Sequence, residues 1–133
     1  MSRLLIDTDV FSFLFKSDTR AEAYRSEIAN RSLYLSFMSV AEIKCWAIQR
    51  RWGPDRLARL DSTLRRYVVI PFDIALTDEW ARITAQRASI GRPIGCGDCW
   101  IAATAVLHGL PLATNNAAHF SGIRGLTLIT GNR

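Results

Sequence analysis

The most constraining feature of this sequence is a set of short apolar runs that alternate with longer segments of helical character. Leu4-Leu5-Ile6 is fully apolar and stops at Asp7, which is typical of a strand buried on both faces. Val68-Val69-Ile70 is a second run of this kind, and Pro71 closes it. Short apolar strands that alternate with helices predict a three-layer α/β/α domain whose central parallel sheet has about four to five strands.

Breaker residues and capping patterns set the predicted boundaries. Ser39-Val40-Ala41-Glu42 has the S/T-x-x-E pattern of a capping box, which would make Ser39 the N-cap and place Glu42 at the third helical position. Asp55, after Gly53-Pro54, is predicted to cap the following helix. The predicted strands are 4–6, 33–37, 68–70, 112–114 and 126–129, and the predicted helices are 10–15, 21–29, 39–52, 55–67, 75–90 and 98–108.

Composition indicates an ordinary globular domain. The 133 residues are 49% hydrophobic and 22% charged, with 8 Gly and 4 Pro, which excludes disorder and low-complexity repeats and fits a single domain over 1–133. No apolar stretch approaches the ~20 residues of a membrane span. The apolar run after Met1-Ser2-Arg3 is too short for a signal peptide. We therefore expect a cytoplasmic protein.

The charge balance is basic and dominated by arginine. The formal net charge is +5, and only Lys16 and Lys44 among the 17 cationic residues are lysines. The planar guanidinium of arginine binds phosphate through two parallel hydrogen bonds, so this composition is compatible with a nucleic-acid partner. A bias towards arginine in codon usage or solubility explains the composition equally well.

The three cysteines are Cys45, Cys96 and Cys99, and the last two form a C-x-x-C pattern. An odd number in a cytosolic protein argues against a disulfide framework. Zinc would need four ligands, and besides the three cysteines only His108 and His119 are available. A redox pair is the other alternative. We favour the interpretation that Cys96 and Cys99 pack the start of a helix.

Three acidic residues lie where the predicted strands end or the helices begin. Asp7 follows the first strand, Glu42 lies in the predicted capping box, and Asp98 is in the first turn of helix 98–108. Each has a local structural explanation as a helix cap or as an acid near a helix N-terminus. In a parallel sheet, however, such positions gather at one edge, where ligands bind.

Carboxylates gathered at one edge repel one another unless a cation lies between them. Mg²⁺ and Mn²⁺ are hard cations that prefer oxygen ligands. A site of this kind can activate a water molecule for in-line attack on a phosphodiester. Asp9, two residues after Asp7, and His119, after the polar turn Thr114-Asn115-Asn116, are further candidates at the same edge.

Four sequence blocks occur in order between residue 4 and about residue 129, and together they resemble the PIN domain. More narrowly, they resemble the VapC toxins of bacterial toxin–antitoxin pairs. The blocks are Leu4-Leu5-Ile6-Asp7-Thr8-Asp9-Val10, Ser39-Val40-Ala41-Glu42-Ile43, Gly91-Arg92-Pro93-Ile94-Gly95 with Asp98 and Ile101-Ala102-Ala103, and Thr114-Asn115-Asn116 with His119-Phe120.

This resemblance implies a Mg²⁺- or Mn²⁺-dependent endoribonuclease that forms a homodimer and is inhibited by a cognate VapB-type antitoxin. It implies that Asp7 and Asp98 are metal ligands and that Glu42 is the third catalytic acid. Thr8, Asp9, Thr114, Asn116 and His119 are the implied supporting polar residues. Asp9 replaces the usual Asn of the family, and His119 replaces a residue that is often Asp or Glu. We expect a groove for the antitoxin among Phe11, Phe13, Leu14, Trp46 and Trp52.

Other classes of protein share parts of this pattern. The Asp7-x-Asp9 spacing is also that of haloacid-dehalogenase-type phosphatases, but these need a lysine late in the chain, and the last lysine here is Lys44. A response-regulator receiver domain also needs a late lysine, which this chain does not have. A catalytically inactive PIN-like protein that binds RNA or titrates an antitoxin stays open as an alternative.

Overall fold

The computed structural model describes residues 2–131. Within them five strands form one sheet in the order β3-β2-β1-β4-β5, and every neighbouring pair is parallel. The predicted parallel sheet is therefore confirmed, with five strands. The strands are β1 (Ser2–Ile6), β2 (Arg31–Ser36), β3 (Val68–Ile70), β4 (Leu112–Ala113) and β5 (Leu128–Ile129).

The segments between the strands are helical. Within the described part of the chain, no helix is both long enough and apolar enough to cross a membrane. The helices are α1 (Thr8–Phe15), a 3₁₀ helix (Thr19–Tyr24), α2 (Arg25–Ile28), α3 (Phe37–Gln49), α4 (Pro54–Leu64), α5 (Ala75–Ser89), α6 (Cys96–His108) and α7 (Ala117–Phe120).

Strand β1 shows why the sheet is covered on both faces. Leu4 and Ile6 pack into a core with residues of α1, α3 and α4, whereas Leu5 packs into a second core with residues of α5 and α6. All three side chains are fully buried, because successive side chains of a strand point to opposite faces. The result is the predicted α/β/α arrangement. Phe11 and Phe13 are also buried in the first core, so the prediction that they line a groove for a partner is wrong.

The start of α3 differs from the predicted capping box. Ser36, the last residue of β2, is the N-cap, and its hydroxyl accepts a hydrogen bond from the Met38 N–H at 3.1 Å. Glu42 is the sixth helical residue, so the capping-box prediction is wrong and the helix end does not explain this acid. Strand β2 passes directly into α3, and no turn residue marks the boundary in the sequence.

Other predicted boundaries differ by smaller amounts, for example at the end of α3, which is Gln49 instead of 52, and at the start of β5, which is Leu128 instead of 126. The predicted helix 21–29 is a 3₁₀ helix followed by the short α2. Gly53 rather than Asp55 is the N-cap of α4, with Pro54 as its first residue, which suits a proline because its missing N–H has no helical partner there. Helix α4 ends at Leu64 instead of 67, and α7 has no counterpart among the predicted elements.

The strand order reverses next to β1. The chain proceeds outward from β1 to β2 and β3, and then returns to the other side of β1 with β4. In open α/β sheets, ligands bind outside the carboxyl ends of the strands at such a reversal. Asp7 and Thr114 are the first residues beyond β1 and β4, so the fold places both at this crevice.

Candidate active site

A cavity of about 160 Å³, which we call the acid cavity, opens at the carboxyl ends of β1 and β4. Seven of the eight predicted site residues line it, so the fold brings together residues from four distant parts of the sequence. The eighth, Thr114, is buried directly behind Asp7. The lining consists of Asp7, Thr8, Asp9, Glu42, Trp46, Asp98, Asn116 and His119.

Asp7 is held from two sides at the end of β1. It is the N-cap of α1, and its Oδ1 accepts a hydrogen bond from the Thr8 N–H at 2.8 Å. Its Oδ2 accepts a second from the Thr114 hydroxyl at 2.6 Å, and the side chain is almost entirely buried. The helix cap is therefore a genuine local role of Asp7, and the bond from Thr114 fixes its other oxygen towards β4.

Three carboxyl groups of this cavity, those of Asp7, Asp9 and Glu42, have raised pKa values. Burial, followed by the negative charge of Asp9, raises the pKa of Asp7 from 3.8 to about 8, although hydrogen bonds from Thr114 and Thr8 oppose the shift. The pKa of Asp9 and that of Glu42 are raised as well, chiefly by burial, and the negative charge of Asp98 adds to both. A positive charge placed in this cavity would relieve the repulsion.

Asp9 connects α1 to the loop after β4. Its Oδ2 accepts hydrogen bonds from the Asn116 side-chain amide at 2.8 Å and from the Asn115 N–H at 3.2 Å. Its Oδ1 accepts one from the Val10 N–H at 2.7 Å. Three amide donors thus surround the charge of Asp9, so this residue ties the two sides of the cavity together.

Glu42 projects from α3 towards Thr8. The Thr8 hydroxyl lies 2.8 Å from Glu42 Oε1 and 2.8 Å from Ser39 Oγ. Because a hydroxyl carries one proton, donation by Thr8 to the carboxylate leaves Ser39 to donate to Thr8. The side chain of Glu42 is therefore fixed by a residue of α1, not by the end of its own helix.

Gly97 lies beside Glu42 in the first turn of α6. A Cβ at this position would lie 3.4 Å from Glu42 Oε2 and 3.4 Å from the Met38 methyl carbon, which is van der Waals contact with both side chains. One residue later, Asp98 lines the acid cavity from the first turn of α6. Of the two cysteines that flank Gly97 and Asp98, Cys99 is buried and Cys96 is exposed, so the prediction that they pack the start of this helix holds for Cys99 and is wrong for Cys96.

Asp98 faces His119 across the mouth of the cavity. The Asp98 Oδ2 and the His119 Nδ1 are 3.1 Å apart, and both side chains are partly exposed to solvent. His119 therefore lies at the same edge as the acids, as the sequence predicts. When its imidazole is protonated, this contact is an ion pair.

The chemistry of these donors fits a hard divalent cation. Four carboxylates and the side chain of Asn116 offer oxygen ligands of the kind that Mg²⁺ and Mn²⁺ prefer. Among residues 2–131, no three His, Cys, Asp or Glu side chains converge closely enough to hold an ion together. The acids surround the cavity, and the fit rests on their oxygen chemistry and mutual repulsion.

The cysteines take no part in the acid cavity. Cys45 and Cys96 are exposed and Cys99 is buried, and all three are free thiols. The Cys99 sulfur lies 3.2 Å from the Thr84 hydroxyl of α5, so it packs between α5 and α6.

Trp46 is the lining residue that the sequence analysis did not assign to this site. It follows Glu42 by four residues on α3, and this spacing puts both side chains on one face of the helix. The Arg50 guanidinium lies 5.1 Å from the centre of its ring. The i, i+4 spacing from Glu42 was a usable signal, because the predicted helix 39–52 already contains both residues.

Known proteins resemble this chain in sequence and fold over nearly their full length. The PIN domain family model matches residues 4–126. The chain is 33% identical to the VapC ribonuclease Y4jK of Sinorhizobium fredii over 95% of each chain. It is 27% identical to the tRNA(fMet)-specific endonuclease VapC of Shigella flexneri, over 95% of this chain and 96% of that one. A crystal structure of DNA-bound VapBC from Salmonella typhimurium superposes with a TM-score of 0.81 at 25% identity and covers 98% of each chain.

Proposed function

The chain belongs to the PIN domain family, within its VapC group, and on this premise we propose that it is a Mg²⁺- or Mn²⁺-dependent endoribonuclease. The observation that carries the proposal is the acid cavity, which Asp7, Asp9, Glu42 and Asp98 line at the reversal of strand order. A protein that only bound RNA would gain nothing from four acids here, because carboxylates repel phosphate unless a cation lies between them.

We assign Asp7, Asp98 and Glu42 as the catalytic acids and as the ligands of the cation. When bound, the cation would supply a Lewis acid beside the scissile phosphate and activate the attacking water. Thr114 and Thr8 keep Asp7 and Glu42 in fixed orientations through the hydrogen bonds described above. Glu42, half-buried and held by Thr8, is the group that we assign to orient the water.

Trp46 and Arg50 extend the site along α3. The Trp46 ring lines the acid cavity and lies under the Arg50 guanidinium. Aromatic rings and guanidinium groups are the side chains on which the bases of single-stranded RNA stack. We therefore propose that a base next to the cleaved bond stacks on this pair.

Cleavage should require a divalent cation. We expect the purified protein to cut RNA with Mg²⁺ or Mn²⁺, to lose that activity in excess EDTA, and to regain it when Mg²⁺ is restored in excess. Because the Shigella flexneri relative is named for tRNA(fMet), this tRNA is the first substrate to assay, followed by unstructured RNA. An unchanged rate of cleavage in EDTA would contradict metal dependence. RNA binding without cleavage under every condition would favour the inactive alternative.

We further propose that the protein is the toxin of a VapBC-type pair and that a VapB-type antitoxin inhibits it. The relatives that carry the VapC name, and the structure of VapBC from Salmonella typhimurium, support this assignment. Inhibition would be direct if a basic side chain of the antitoxin entered the acid cavity. There it would neutralise the carboxylates and compete with the cation.

Induction of the protein alone should stop bacterial growth, and co-expression of the small protein encoded beside it should restore growth. The physical reason is that a bound antitoxin covers the acid cavity. Growth and RNA integrity after brief induction are the measurements, and the Asp98→Asn variant is the non-toxic control. Growth arrest that the neighbouring gene product leaves unchanged would contradict the pairing.

A homodimer is the assembly that we propose for the free toxin. Strand β3 is at the edge of the sheet, and its Val68 and Val69 are partly exposed. Phe72 and Ile74, which follow it, are 49% and 75% exposed. An exposed edge strand with apolar side chains is a surface that proteins usually cover, and a second copy of the chain is the occupant we propose.

A further inference from the structure

A second and larger cavity adjoins the acid cavity and shares Asp98 and His119 with it. Its volume is about 460 Å³, and we call it the arginine cavity. Whereas the acid cavity contains four carboxyl groups, this one contains two arginines. It is lined by Arg87, Arg92, residues 93–95, Asp98, Ala118 and His119.

Arg87 is a buried cation that has no carboxylate partner in the described part of the chain. It belongs to α5 and is only 3% exposed. Its Nε donates to the Arg92 carbonyl at 2.6 Å and its Nη1 to the Ser121 carbonyl at 2.8 Å. Across residues 2–131, no carboxylate oxygen lies within 4.0 Å of its guanidinium. Buried charges are normally paired, so Arg87 is suited to an anion from outside the chain.

Two other features of the arginine cavity also favour an anion. Arg92, in the loop before α6, lines the same cavity and is exposed to solvent. Gly95 is the N-cap of the 13-residue helix α6 and supplies no side-chain acceptor. The first N–H groups of this helix therefore have no capping side chain, and helix N-termini in this state attract phosphate groups.

We propose that the arginine cavity binds a phosphate group of the RNA backbone next to the phosphate that is cleaved in the acid cavity. This inference rests on the proposed ribonuclease function. The two cavities meet at Asp98 and His119, so a single strand that passes from one to the other presents successive phosphates to both. Arg87 and Arg92 are then positioning residues that fix the register of the RNA.

The first test is RNA binding by Asp7→Asn protein, in which cleavage is blocked. The probe is a short fluorescent single-stranded RNA, and anisotropy gives its Kd across a series of salt concentrations. We expect Arg92→Gln to weaken binding about tenfold and to reduce the slope of log K against log salt by about 0.7, the value for one phosphate contact on single-stranded RNA. The matched control is Arg65→Gln, an exposed arginine next to α4 that lines neither cavity, and it should leave both quantities unchanged.

The second test identifies the phosphate. The Kd is measured for a set of RNAs that each contain one uncharged methylphosphonate linkage at a different position. Each RNA is tested with the Asp7→Asn parent, which keeps Arg92, and with the same protein carrying Arg92→Gln. We expect a neutral linkage at one position beside the cleavage site to weaken binding only when Arg92 is present. This position dependence separates an RNA phosphate from free inorganic phosphate, which has no register. If each neutral linkage weakened binding by the same factor in both proteins, at every position, the proposal would be overturned.

Arg87 needs a separate comparison because its hydrogen bonds also tie two loops together. Arg87→Lys keeps the charge and Arg87→Met removes it, and the thermal midpoint shows which variants are folded. Among folded variants, we expect the methionine to bind RNA about tenfold more weakly than the lysine. If the wild type cuts RNA but Arg92→Gln binds it as tightly as the parent does, this inference is wrong and the ribonuclease function stands. If the wild type neither binds nor cuts RNA, both fail.

Discussion

Replacing Asp7 with asparagine should abolish cleavage and, in the absence of divalent cations, make the folded protein more stable at pH 8. Asparagine has the same shape, and its amide can still accept the Thr8 N–H and exchange a hydrogen bond with the Thr114 hydroxyl. The change therefore removes one negative charge with little loss of packing. We expect the rate of RNA cleavage to fall at least about 10³-fold, because the loss of this ligand weakens both cation binding and water activation.

The effect on stability follows from the direction of the pKa shift. In the folded protein, burial and the charge of Asp9 raise the pKa of Asp7 from 3.8 to about 8. Between these two values Asp7 is more protonated in the folded state than in the unfolded state, so its contribution to stability is greatest below about pH 4 and declines as pH rises towards 8. At pH 8 the free energy of unfolding of the Asp7→Asn variant should exceed that of the wild type by more than about 1 kcal/mol. For a chain of this size that corresponds to a few degrees in Tm.

Thermal melts in EDTA at pH 5 and pH 8, with and without added Mg²⁺, provide the measurement. The wild type should gain stability from Mg²⁺, because a ligand that binds only the folded state raises Tm, and Asp7→Asn should lose most of that gain. The control is Asp61→Asn, an exposed carboxylate on α4, which should alter neither activity nor the pH dependence. An Asp7→Asn protein that cuts RNA at the wild-type rate would remove Asp7 from the site.

The parts of this fold that the sequence predicts are those set by burial. Leu4-Leu5-Ile6 is a short, fully apolar run, which favours a strand between two helical layers because neighbouring side chains of a strand face opposite ways and all three are buried. Asp7 ends that run, so its place at the sheet edge follows from the same pattern. The order of the strands cannot be derived from this pattern, because it depends on which distant segments pack on each face.

Glu42 shows how a local pattern can mislead when tertiary structure decides a boundary. The S/T-x-x-E spacing from Ser39 is real, but Ser36 caps the helix because β2 turns into α3 without a loop. Ser39 is then free to contact Thr8, which is 31 residues away in sequence. The contacts that fix Glu42 are long-range, and no window of sequence contains both partners.

The arginine cavity could not be predicted for a similar reason. Arg87 lies in a helix with other charged residues, such as Arg82 and Glu79, which pair at the surface. Its burial depends on the packing of α5 against the loop before α6 and the end of α7, and among the residues that the structure describes no carboxylate pairs with its charge. The four acids and the two arginines thus form adjoining sites of opposite charge, which suits a chain of phosphates with a cation bound at one of them.

Replacing Glu42 with glutamine should leave the fold intact and reduce cleavage by about 10²- to 10³-fold. If Glu42 only accepts the hydrogen bond from Thr8, the glutamine Oε1 accepts it equally well, and both stability and activity should be preserved. If Glu42 belongs to the catalytic acids, the substitution removes one of the charges that hold the cation and orient the water.

The two roles of Glu42 predict different results from one preparation, because the thermal midpoint and the cleavage rate respond differently. The pKa of Glu42 is raised by burial and by the charges of Asp98 and Asp9, so its ionised form is unfavourable in the metal-free protein. We therefore expect the midpoint of Glu42→Gln in EDTA at pH 8 to equal or exceed that of the wild type, since a group with a raised pKa loses its stabilising effect as pH rises. The matched control is Glu79→Gln on α5, which breaks only the surface ion pair with Arg82 and should change stability by less than about 1 kcal/mol and cleavage not at all. A folded Glu42→Gln protein with wild-type cleavage would confine Glu42 to its contact with Thr8 and leave Asp7 and Asp98 as the catalytic acids.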